Sequence, residues 1–292
     1  MQHVEFFHRD HFETRYHRRP ARRALGHFID FFWEIDFDPL WGKYPEGFSD
    51  ALFPNVGYTY MINLGTPFVM ELGTNRHDVR SDVFLPRNKY MICHHAVGNR
   101  IFGIKFRVSP VVFEKKVNFS EYREYLYPLA YLIDRSVVDR VKAASGFDAR
   151  VGIISDYYNR ILERHLGSQR PVEIVTQVLK ECGESNAFSV PVDALAARFG
   201  ISGRTLQRYF EATTSIGSKQ ALQILRIRKA VEQLVNDPVG FHYSTYGYYD
   251  HSHFYRHLRG FLNQHTIDLL QPHLLLLTEA SAKRKRIVNG ES

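Results

Sequence analysis

Residues 192–210 read VDALAARFGISGRTLQRYF, and residues 250–259 read DHSHFYRHLR. With Ser202 laid over Asp250 the two segments share one design. Both residues are good helix N-caps, whose side-chain oxygens satisfy free backbone N–H groups. Leu206 then meets Phe254 and Phe210 meets Leu258, so each helix carries an apolar stripe at i, i+4. Arg208 meets Arg256. A glycine turn precedes each capped helix, at Gly200 and Gly247, and a candidate short helix precedes each turn, the second less regular than the first. Short helix, glycine turn, capped helix is the helix-turn-helix pattern, whose second helix can lie in the major groove of DNA.

The face of the first capped helix expected to point outward holds Arg204, Gln207, Arg208 and Glu211. Arginine can bond guanine through two atoms and glutamine can do the same to adenine, so these residue types suit base reading. The matching face of the second helix holds His251, Ser252, Tyr255, Arg256 and Arg259. Between them, residues 218–236 read as one continuous helix, about 28 Å long at roughly 1.5 Å per residue. Two helices reading successive major grooves on one DNA face sit about 34 Å apart, so a rigid connector of this length is of the right order.

The rest of the chain is of a different character. From about residue 24 to 108, short aromatic and β-branched runs such as GHFIDFFWEI and RIFGIKFRVSP lie between Gly and Pro, as in an antiparallel sheet or small barrel. Segments 44–50 and 73–82 read as loops. Residues 109–129 and 136–166 space their apolar residues as helices do. A break at 167–171 divides the 292-residue chain into a β-rich sensing or dimerising domain with a helical end (1–170), an all-helical domain of seven helices (171–275) and a flexible basic tail (276–292) containing KRKR at 283–286. The expected class is α+β: an N-terminal antiparallel β-barrel-like domain with helices, and a C-terminal all-α domain with two helix-turn-helix units.

Residues 172–270 resemble the DNA-binding domain of the AraC/XylS family of bacterial transcription regulators. The likeness rests on VDALAARFGISGRTLQRYF, on LRIRKAVEQL in the connecting helix, and on GYYDHSHFYRHLR, which is similar to the family's Gly-aromatic-x-Asp-x-Ser-His-Phe-x-Arg run. The N-terminal half, with FIDFFWE and GIKFRVSP, is similar to the sensory half of some members. The resemblance implies a sequence-specific transcription regulator, more often an activator. It places the DNA-binding residues at Arg204, Gln207, Arg208, His251, Ser252 and Arg256. It further implies promoter DNA and RNA polymerase as partners, and leaves room for a small-molecule effector and a homodimer. The chain departs from the family in the Gly-x-Thr/Ser-Pro turn that closes each unit. The Gly and Pro places hold Ser215 and Ser218 in the first unit, and Asn263 and Thr266 in the second. The small residue expected in the first helix of the second unit is Tyr243, so that helix is expected to be distorted and the first unit to read more firmly.

Other chemistries find little support. His253 and His257 are four apart on a helix but lack a third metal-ligand type nearby. His94 and His95 fall on opposite faces of a strand. Phe31, Phe32 and Trp33 could line an effector pocket, though an aromatic strand reads first as core. No GxSxG elbow, P-loop or GxGxxG is present, and Cys93 in MICHHAV lacks the Pro-Cys-His-Arg setting of alkyl-transfer chemistry. We therefore expect no enzyme, no cofactor and no metal. A net charge of +7, two distant cysteines, no signal-peptide pattern and no long apolar run lead us to expect a cytoplasmic protein with a polyanionic partner. A ligand-binding or interaction protein whose helix-turn-helix domain has become a weak DNA binder is the alternative.

Overall fold

The computed structural model describes residues 16–73, 75–108, 122, 125–165, 167–262 and 267. Its N-terminal half is built on two antiparallel sheets. The first joins β1 (Tyr16–Pro20), β2 (Ile29–Asp36), β9 (Arg100–Phe106), β4 (Tyr58–Asn63), β7 (Val83–Pro86) and β10 (Tyr127–Pro128) in that order. The second joins β3 (Phe48–Leu52), β8 (Met91–His95), β5 (Phe68–Leu72) and β6 (Asn75–Val79). Among the described residues these are two antiparallel sheets that do not close into one barrel, so the expected antiparallel, barrel-like domain is present in a loose, two-sheet form.

Alternation along β2 explains how both faces of the first sheet come to be buried. Phe31, Trp33 and Ile35 pack toward the second sheet with Met61, Met70 and Leu72. Phe32 joins the core on the other face with Tyr60, Phe102 and Ile104, beneath α2 (Arg135–Ala143) and α3 (Phe147–Arg164). The aromatic strand is thus core rather than pocket wall. Trp33 is paired with Gly103 of β9, and a Cβ built at Gly103 would stand 1.9 Å from the indole ring, so only glycine leaves room for it. On the helical side the carboxylate of Glu34 accepts two bonds from Arg150 Nη1, each 2.9 Å, which fastens α3 to β2.

The segments expected to be loops contain the start of β3 and the whole of β6. Edge strand β6 carries Asn75, Arg76, His77 and Asp78 on largely exposed positions, which is why its composition reads as loop. Much of the expected helix 109–129 lies outside the described residues, and its end forms β10, paired with β7. The basic tail at 283–286 also lies outside them.

The C-terminal half is helical. After the four-residue α1 (Asp38–Trp41) and the pair α2 and α3, the chain forms α4 (Arg170–Ser185), α5 (Val192–Ala197), α6 (Gly203–Thr214), α7 (Ser218–Asn236) and α8 (His251–Phe261). A single 3-10 turn, Tyr243–Tyr246, precedes α8. Five α-helices and this turn are therefore described where seven helices were expected. One apolar cluster runs from Leu25 through both halves to Ile267. Polar ties cross the same junction: Thr176 Oγ1 of α4 donates to the His27 carbonyl at 2.8 Å, and Arg228 of α7 donates to the Phe53 and Pro54 carbonyls at 3.4 Å. No helix among the described residues is long and apolar enough to cross a membrane.

Candidate nucleic-acid interface

The first unit is α5, a turn and α6. Gly200 turns the chain at φ +66°, a left-handed conformation natural to glycine, and Ile201 N–H returns to the Ala196 carbonyl at 3.2 Å. Ser202 then caps α6, its hydroxyl accepting from Thr205 N–H at 3.2 Å. The two helices approach closely, since a Cβ at Gly203 would meet Asp193 Oδ1 at 1.9 Å. Leu206 and Phe210 are fully buried, which turns the opposite side of α6 outward. Arg204 and Arg208 on that side are exposed.

Gln207 is placed otherwise than the sequence suggested. It is half-buried, and its side-chain carbonyl accepts from both the backbone N–H and the hydroxyl of Ser218, at 3.0 and 2.9 Å. Its amide nitrogen donates to Glu211 Oε1 at 2.8 Å. Gly217 leaves room for this side chain, because a Cβ there would lie 2.1 Å from the amide. Ser215 takes the left-handed conformation at φ +68° where the family resemblance led us to look for glycine. A serine turn and a glutamine tie thus close the first unit in place of Gly and Pro. Sequence reasoning missed this role, because an i+11 side-chain bond leaves no periodic trace.

The second unit follows α7, whose 19 residues join the two capped helices without a break. Gly247 turns at φ +73°, and a Cβ there would meet Ser189 Oγ at 2.4 Å. Asp250 Oδ1 caps α8 by accepting from His253 N–H at 2.6 Å. Phe254 and Leu258 are fully buried, while Ser252, His253, Arg256 and Arg259 are exposed. His251 is half-buried; its ring stacks on Tyr255 at 6.1 Å, and burial lowers its pKa against the opposing pull of Asp250. The helix expected before the turn is reduced to the 3-10 turn, with Tyr243 half-buried against the core and its ring stacked on His242.

A polar lock beneath α8 holds this unit to α7. Arg226 Nε donates to the Tyr246 carbonyl at 2.7 Å, and its guanidinium lies 3.8 Å from the Tyr248 ring centre. The Tyr248 hydroxyl is 2.6 Å from His257 Nδ1. Burial, Arg226 and His253 together push His257 down to about 4, so the imidazole is neutral at pH 7 and shares a hydrogen bond with the phenol. Burial raises the Tyr248 pKa, with Arg226 opposing, and keeps the phenol protonated. His253 and His257 therefore differ in role, one exposed and one inside the lock. No cluster of three or more His, Cys, Asp or Glu among the described residues could hold a metal ion.

A family model for a helix-turn-helix domain matches residues 195–265, which run from within α5 through α6 and α7 to the end of α8. The C-terminal region is an AraC-type helix-turn-helix domain. A domain of this type supports a DNA-binding transcription regulator. Solved structures similar to it include ToxT from Vibrio cholerae, at 7% identity and a TM-score of 0.43, covering 86% of this chain and 96% of ToxT. The AraC-like transcriptional activator CuxR is similar at 10% identity and a TM-score of 0.27, covering 77% of this chain and 90% of CuxR. No curated protein matches the chain in sequence.

Proposed function

We propose that this AraC-type regulator reads a promoter sequence-specifically by laying α6 and α8 in adjacent major grooves. The observation that carries the reading is a pair of capped helices, each with exposed arginines, at the two ends of one uninterrupted 19-residue helix. That connector is about 28 Å long, comparable to the roughly 34 Å between successive grooves. Arg204 and Arg208 are the readers in α6. Ser252 and Arg256 are the readers in α8, with His251 beside them. Gln207 belongs to the closing turn and acts on DNA only through the position of α6.

The finer reading follows from the domain type and the packing of the halves. The regulator acts on a nearby promoter through RNA polymerase, as an activator. Because Arg228 of α7 is held by the carbonyls of Phe53 and Pro54, the N-terminal sheets can bias the angle between the two readers. The protein is cytoplasmic, where its DNA is. Hydroxyl-radical footprinting on a bound promoter tests the two-groove reading. It should show two protected patches about one helical turn apart on one face. A single patch would sink it.

A further inference from the structure

The turns of the two units differ in length by one residue. In the first, Gly200 and Ile201 lead to the cap at Ser202, and Ile201 is packed against the core. In the second, Gly247 is followed by Tyr248 and Tyr249 before the cap at Asp250. Tyr248 takes the inward place of Ile201 and is only 2% exposed, so the added residue is Tyr249. Its side chain is 88% exposed, more than any other large apolar or aromatic residue among those described.

A single exposed ring is ordinary on a protein surface, and it is the position of this one that signifies. Tyr249 stands one residue before the cap of α8, with its backbone N–H 3.4 Å from His253 Nδ1 in the first turn of that helix. On α8 the side opposite Phe254 and Leu258 exposes Ser252, Arg256 and Arg259, spaced as one helical stripe. Tyr249 is placed at the N-terminal end of α8, three residues ahead of Ser252. The exposed ring is therefore continuous with the face that carries the readers of the second unit.

We propose that Tyr249 is a further DNA contact of the second unit, its hydroxyl donating to a backbone phosphate at the edge of the groove that α8 enters. This rests on the reading in which α8 lies in a major groove. In such docking the first helix crosses the backbone and the first residues of the second meet base edges, so the turn between them passes the phosphate wall. Tyrosine hydroxyls are ordinary donors to phosphate oxygens. Paired bases offer no free face, so the stacking by which exposed rings hold single strands does not apply. A lone hydroxyl also lacks the two-atom fork that tells one base pair from another. Tyr249 thus adds affinity and fixes register without a sequence preference of its own. The first unit has no equivalent, and the contact supports the unit whose leading helix is shortened to one turn.

The test uses the full-length protein and the duplex site that it selects from random DNA. Tyr249→Phe removes one exposed hydroxyl and should leave the melting temperature unchanged. It should weaken binding about tenfold, equally for every single-base variant of the site, as expected for one hydrogen bond to a charged group. Because the lost donor is uncharged, the slope of log affinity against log salt should stay that of the wild-type protein. At one phosphate beside the groove of α8, a methylphosphonate should weaken the wild-type protein about tenfold more than it weakens Tyr249→Phe. Unchanged affinity in Tyr249→Phe, or a loss confined to one base pair, would overturn the proposal. Arg256→Ala, measured in parallel, separates the two claims. If it blurs its half of the motif while Tyr249→Phe is silent, the groove reading stands and the phosphate contact falls. If both variants are silent, or no site is selected, α8 does not read DNA and both claims fall together.

Discussion

The side-chain carbonyl of Gln207 holds the first turn of α7 by accepting from Ser218 twice, through its backbone N–H at 3.0 Å and its hydroxyl at 2.9 Å. This bond sets α6 relative to the connecting helix. Gln207→Ala should therefore lower stability by about 1–2 kcal/mol, the cost of a lost cap together with a buried donor left unmet. DNA affinity should weaken evenly across sequences. Urea denaturation with binding to a set of single-base variants checks both. Loss of preference at one base pair with unchanged stability would show that the amide reads DNA.

Ser215 is strained where it stands. Its φ of +68° costs a non-glycine residue about 1–2 kcal/mol, and its hydroxyl is buried without a partner among the described residues. Glycine is at ease in that conformation but loses more freedom on folding, which offsets part of the gain. Ser215→Gly should raise stability by about 1 kcal/mol. Thermal melting measures it, and a destabilised variant would mean the hydroxyl makes a bond that matters more than the strain.

In the N-terminal half the decisive polar contact is Glu34 with Arg150, whose side chains are 8% and 10% exposed. The guanidinium also donates to the Val141 and Ala144 carbonyls, so it is held at the end of α2 as well as on β2. Glu34→Ala leaves that charge buried and uncompensated, and should cost about 3–5 kcal/mol. The paired change Glu34→Leu with Arg150→Met should cost less than Glu34→Ala alone. Denaturant midpoints of the wild-type protein and the two variants give the comparison; equal loss in both variants would show that the pair adds nothing beyond packing.

Acid should loosen the second unit before the first. A histidine in the unfolded chain titrates near 6.5, whereas His257 in the folded protein is pushed down to about 4. Between those values the unfolded state binds more protons, so stability rises with pH. The contribution is fully present above about 6.5 and is lost as pH falls toward 4. His251, also lowered by burial, acts in the same direction. His257→Gln should flatten this dependence, measured as denaturation midpoints at about pH 7 and about pH 4.5. A slope equal to that of the wild-type protein would place the titrating group elsewhere.

The helices that organise the DNA-binding half were legible because their signals are local. Ser202 and Asp250 cap α6 and α8 as their residue types suggest, and α7 spans the 19 residues that the apolar spacing indicated. What the sequence concealed is set by partners far along the chain. Strand β6 exists because β5 lies beside it, although its own side chains are mostly polar and exposed. Gln207 resembles any outward-facing glutamine until Ser218 is brought beneath it. Tyr243 announced a disturbance in the second unit, but the extent of it, a whole helix shortened to one turn, depends on how the ring packs.

The central claim, that α6 and α8 each read a groove, is tested most directly by selecting binding sites from random duplex DNA. The purified protein should be run in parallel with Arg208→Ala and Arg256→Ala, whose side chains are both exposed and so removable without disturbing the core. The account predicts a bipartite motif with halves about one helical turn apart, each variant blurring one half at a cost of about 1–3 kcal/mol. A motif confined to one groove, or two variants that weaken all sequences alike, would contradict it.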